Sequence, residues 1–250
     1  MVRLLTLVLG SITVALLFIF VLGTIPSTGL YAFRQQFGPQ AFDPLVGIGL
    51  AAMLLLTGFS AQVPRLGASK EVALLAMIVA LGSAGRVIFV AAPNISPVDW
   101  LTLCMGIVFG PLTGFTVGAS IMLVSNFWLG HGPWTVYQMV GMGFLGIVGG
   151  VMGLFGRRYG RWVLAGIGMV WGFVYGLITS FFWLLIISSV ISWTSFGAIW
   201  LTGLPFYLLQ GTGNAVFLFA LGPRTLQMLD RFRGRLTVKI EKAVRMEDEQ

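Results

Sequence analysis

Residues 100–129 read WLTLCMGIVFGPLTGFTVGASIMLVSNFWL, and this stretch decides the fold. It contains no Asp, Glu, Lys, Arg or His. As one helix it would extend ~45 Å, well beyond the ~30 Å hydrocarbon core of a bilayer. The break falls at Gly110-Pro111-Leu112-Thr113-Gly114. Proline withholds a backbone donor there, and the flanking glycines allow a tight turn. We read two short helices, residues 99–110 and 112–128, joined at this turn. A single kinked span is the alternative, because proline is tolerated in membrane helices.

Working outward, apolar runs cover residues 4–22, 44–59 and 72–92 on one side, and 136–155, 162–188 and 200–221 on the other. Residues 25–43 between the first two runs read as a polar loop holding Arg34 and Asp43. Residues 4–22 compete with a cleaved signal peptide. They exceed the ~7–15 residues of a secretory apolar core, so a retained helix is the reading.

The pattern predicts an all-α integral membrane protein with about eight transmembrane helices. Starting with the N-terminus inside, thirteen of the fifteen Lys and Arg residues fall on the cytoplasmic side. Arg34 lies outside and Arg86 within the third span. Were residues 99–128 a single span, the basic tail would fall outside and this bias would break. Both termini are therefore expected in the cytoplasm, in a multi-pass protein of the plasma membrane.

Composition agrees with that solvent. The chain has 250 residues, of which 57% are hydrophobic and 9% charged, against ~25% charged in soluble domains. Its net charge of +7 does not point to nucleic acid, because the cations sit in short loops and the tail rather than on an aromatic-interleaved face. The lone Cys104 and lone His131, with no clustered carboxylates, offer no metal site. No P-loop, HExxH or Ser/His/Asp set is present, so neither enzymatic activity nor a cofactor is expected. Intramembrane acids suited to ion coupling are also scarce, and only Asp99 comes close.

Several residues stand out against the apolar background. Arg86 carries a charge within a span, at a cost of at least ~2.5–3.5 kcal/mol. It either snorkels to outer headgroups or faces a cavity, pairing Asp99 or a ligand. Asn126, His131, Trp134 and Gln138 crowd the segment 126–138. An interfacial aromatic belt explains its tryptophans but not amides at the span ends. Trp171, Tyr175 and Phe182 share one helix face, by core packing or around a flat ligand. Gln210 and Asn214, four apart, need buried partners. Ala76, Ala80 and Ala84 form a smooth stripe for close helix contact.

The segments Ile107–Ala119 and Gly130-His131-Gly132-Pro133-Trp134-Thr135-Val136-Tyr137-Gln138-Met139 resemble those of energy-coupling factor (ECF) transporter S components. Ala84-Gly85-Arg86 ahead of Pro93-Asn94, and Trp171-Gly172-Phe173-Val174-Tyr175-Gly176, match one branch of that family. The matches spread over residues 70–221. The resemblance implies a six-helix core that captures a vitamin or related micronutrient from outside. It also implies partners: a transmembrane scaffold subunit and two cytoplasmic ATPases. The family's alanine stripe meets the scaffold, which maps to Ala76, Ala80 and Ala84. Its ligand pocket lies near the outer face, which makes Arg86, Asn94, Asn126, His131, Trp134, Gln138, Trp171 and Tyr175 the candidate substrate-binding residues.

This chain departs from the pattern in having two spans ahead of that core. The expected organisation is residues 1–66 as two N-terminal helices, 67–222 as the core and 223–250 as a basic cytoplasmic tail. A cobalamin-like ligand is the first expectation within this branch, with riboflavin, a thiamine precursor or a modified purine base as competitors. A ligand-free membrane scaffold is the alternative of a different class, and a membrane-embedded enzyme a third.

Overall fold

The computed structural model describes residues 2–24, 27–38, 69–132, 134–187 and 192–248, with isolated positions between 46 and 58. Among the described residues the chain is all helix. In order the helices are α1 (Val2–Thr24), α2 (Gly29–Phe37), α3 (Ser69–Ile88), α4 (Val98–Phe109), α5 (Pro111–Leu129), α6 (Trp134–Phe155), α7 (Arg161–Ile187), α8 (Trp193–Ala220) and α9 (Gly222–Asp248). A 3-10 turn, Phe89–Ala91, extends α3.

Among the described residues four helical stretches are long and apolar enough to cross a membrane: Lys70–Ala91, Pro111–Leu129, Trp134–Phe155 and Arg161–Leu184. A fifth crossing arises if α8 and the Gly222–Arg235 part of α9, bent by 57°, act together. The protein is thus built to span a membrane. The first predicted run lies within α1, and the second, residues 44–59, falls largely outside the described residues.

The chain breaks where proline and glycine predict. Gly110 adopts φ 98°, a conformation that glycine reaches without a Cβ clash, and its N–H bonds the Gly106 carbonyl at 2.8 Å. Pro111 opens α5 at the position where its missing N–H leaves nothing unmet. With twelve residues, α4 is ~18 Å long and shorter than a full span.

Two expectations need correction. Residues 25–43 are not loop throughout, because α2 occupies Gly29–Phe37. The Thr28 hydroxyl accepts from the Tyr31 N–H at 3.1 Å, an N-cap that starts a helix despite the polar composition. The last apolar helix begins at Trp193 rather than residue 200, because the Ser192 side chain accepts the Ser195 N–H and caps it there.

Helix α4 is the centre of the bundle, packed by α3, α5, α6, α8 and α9. Its side chains from Leu101 to Val108 are all buried. The α4–α5–α6 contact is backbone on backbone: a Cβ added at Gly106, Gly114 or Gly146 would run into the main chain of a facing helix. Lipid tails are as apolar as leucine, so close van der Waals contact and polar ties must hold such helices together. Helices α3–α6 form one tightly packed group, and α7–α8 a second, antiparallel hairpin. Gly172 and Gly176 on α7 seat that hairpin against Gly211 and Tyr207 on α8.

The basic segment is helical from Gly222. Its first turns bury Leu226 and Leu229, and the Trp100 indole N–H donates to Thr225 Oγ1 at 3.2 Å. Arg233 donates to the Val108 carbonyl at the end of α4, one of the orphan acceptors of a helix C-terminus.

Candidate functional site

The residues singled out by sequence form two buried polar networks. The first joins α3, α5 and α6. Arg86 Nη1 donates to Ser125 Oγ and to Asn126 Oδ1, each at 2.7 Å. Asn126 Nδ2 in turn donates to Thr135 Oγ1 and to Gln138 Oε1, each at 3.0 Å. The Ser125 hydroxyl donates in turn to the Met122 carbonyl at 3.2 Å. Arg86 is half-buried and turned into the bundle, neither snorkelling to headgroups nor bonded to Asp99. Hydrogen bonds to a charged group contribute about 1.5–3 kcal/mol each, enough to offset the cost of carrying a guanidinium into a span.

This network props the loop before α6. Thr135 Oγ1 accepts the Gly132 N–H at 3.3 Å and lies 3.4 Å from His131 Nδ1. The Phe127 ring meets the His131 ring edge-on, with centroids 4.7 Å apart. Trp134 Nε1 donates to the Gly130 carbonyl at 3.3 Å. His131 is exposed and Trp134 partly so, above the buried Asn126.

The second network joins the two helix groups. Asp99 Oδ1 accepts from Gln210 Nε2 at 3.4 Å and from Asn214 Nδ2 at 3.1 Å, which supplies the partners those two amides require. Asn214 Nδ2 also reaches the Gly168 carbonyl at 3.4 Å, tying in α7. Asp99 is only 1% exposed. It lies in the first turn of α4, where the helix dipole favours negative charge. Asp99 Oδ2, Asn214 Oδ1, Thr102 Oγ1 and Trp171 Nε1 are buried without a hydrogen-bond partner among the described residues.

The remaining candidates divide between these places. Tyr175 packs its ring against Gly141 of α6, one turn beyond Gln138. Trp171, one turn beyond Gly168, packs against Phe144 at 6.0 Å. Asn94 stands apart in an exposed turn, at φ 58°, with its amide 3.5 Å from the Phe206 carbonyl. Sequence reasoning missed Ser125 and Thr135. Thr135 was findable, since it shares a helix face with Gln138, whereas Ser125 looks like any serine of a membrane helix. Among the described residues no group of His, Cys, Asp and Glu could hold a metal ion.

With this geometry the molecule belongs to a recognisable class, the all-helical proteins with several membrane-spanning helices and polar networks between them. No protein-family model matches the chain, and neither a curated protein nor a solved structure does.

Proposed function

We propose that this protein is the substrate-binding subunit, the S component, of an ECF-type importer. It would span the membrane about eight times with both termini in the cytoplasm of the cell. The observation that carries the reading is convergence. Arg86, Asn126, Thr135 and Gln138, drawn from segments that resemble the family, meet in one network beneath the His131–Trp134 loop. On this reading the loop, with Asn94 as a separate outer contact, receives a vitamin-like ligand, and Trp171 and Tyr175 line the deeper wall. The chain brings no ATPase motif, so energy would come from partner subunits.

Ala76, Ala80 and Ala84 are all exposed on α3, in one stripe with Met77 and Leu81. Small side chains allow a partner helix to approach closely. That stripe also favours a second reading, a ligand-free assembly subunit that shares the partners but carries no solute.

Gentle isolation of the full chain from its own membranes tests both. The S-component reading expects a scaffold subunit and two ATPases to co-isolate, and Ala80→Trp to release them while leaving the helix content unchanged. Partners without any ligand would favour the assembly reading. Isolation without partners, unchanged by Ala80→Trp, would contradict both.

A further inference from the structure

The end of the molecule remote from the Arg86 network carries a second feature. The two lie at opposite ends of α6, whose 22 residues rise ~33 Å. Where α6 turns into α7, a cleft of about 260 Å³ opens against α9. Arg157, Arg158, Gln227, Asp230 and Arg231 line it over a floor that includes the buried Leu226. Its wall is fixed by the Tyr159 hydroxyl, which donates to the Met152 carbonyl at 2.7 Å.

The charge in this cleft is unbalanced. Three guanidiniums face one carboxylate, and Asp230 is already engaged by Arg157 at 3.3 Å. Arg158 and Arg231 hold no ion pair among the described residues. Arg224 and Arg235 line an adjoining cleft that shares Gln227 and Arg231. The surface therefore asks for an anion that engages several guanidiniums together, as a phosphate does.

A third, more open hollow shares Arg157, Arg158 and Asp230 and runs along Gly153, Leu154 and Phe155. Leu154 and Phe155 are 78% and 86% exposed, and the nearby Trp162 is 76% exposed. Apolar side chains bared beside arginines, with an exposed tryptophan a few residues on in sequence, mark the level where hydrocarbon gives way to headgroups. A soluble anion would use the arginines and leave this apolar trough unmatched.

We propose that the cleft between the α6–α7 turn and α9 is a binding site for an anionic phospholipid. Its phosphate sits among Arg157, Arg158 and Arg231, and an acyl chain lies along Leu154 and Phe155. The assignment rests on the chain spanning a membrane, but not on what it transports.

The test is native mass spectrometry of the full chain in mixed phosphatidylglycerol and phosphatidylcholine, with helix content checked by circular dichroism. The wild type retains phosphatidylglycerol selectively. Arg158→Gln and Arg231→Gln each lower that retention about five-fold, at the ~1 kcal/mol of one cation near an anionic surface. Lys70→Gln, which removes one charge outside the cleft, leaves it unchanged. Asp230→Asn deletes the cleft's carboxylate and raises retention, a gain that misfolding cannot imitate. Equal retention of both lipids, an equal loss in Lys70→Gln, or full displacement of the lipid by glycerol phosphate at matched concentration would overturn the assignment.

Discussion

The two buried networks differ in what they leave unmet. Around Arg86, the guanidinium, Ser125, Asn126, Thr135 and Gln138 all find partners within α3, α5 and α6. Around Asp99, one carboxylate oxygen takes both amides, while the other, with Asn214 Oδ1, goes without. The first network lies inside one tightly packed helix group. The second spans the joint between that group and the α7–α8 hairpin. A satisfied network holds one arrangement, because breaking it exposes a buried charge. An incomplete one leaves buried acceptors unmet, which costs free energy until a donor reaches them. The contrast assigns the Arg86 network to supporting the loop, and makes the Asp99 joint the less completely bonded of the two.

The largest effect should come from breaking the satisfied network. Asn126→Ala removes one hydrogen-bond partner each from Arg86, Thr135 and Gln138 at once, and is expected to destabilise the fold by about 3 kcal/mol in denaturant titration in detergent. A change below about 1 kcal/mol would show that the network is slack.

At the joint, Asn214→Leu removes one donor to Asp99 together with one orphaned acceptor, so the loss should be smaller, about 1–2 kcal/mol. Asp99→Asn sharpens the contrast further. Its Oδ1 still accepts both amides, while the buried negative charge is removed. Stability should hold within about 1 kcal/mol or rise. A loss as large as that of Asn126→Ala would mean that the negative charge itself holds the joint. The smallest effect belongs to His131→Ala. The side chain is exposed, so stability should move by less than about 0.5 kcal/mol, whereas ligand retention should fall.

The sequence made most of the helix order legible, because the signals were local. A glycine–proline pair inside an apolar run divides α4 from α5, and charge asymmetry argued for the same break. It concealed α2, whose composition reads as loop and whose start depends on a single threonine cap. The site was legible as a list of unusual residues rather than as a pairing. Arg86 and Asp99 look like natural partners in a chain with so few charges. They part because Ser125 and Asn126 face Arg86 across the α3–α5 contact, while Asp99 faces the amides of α8. Such choices depend on helix rotation, which neither period nor composition specifies.

The central claim, that the His131–Trp134 loop over the Arg86 network receives a small solute, is tested most directly by native mass spectrometry of protein taken from its own membranes. The account predicts a bound molecule of vitamin-like mass on the wild type, absent from a stably folded His131→Ala, Trp134→Ala double variant. Wild-type protein carrying no small molecule, or the same molecule retained undiminished by the double variant, would contradict it.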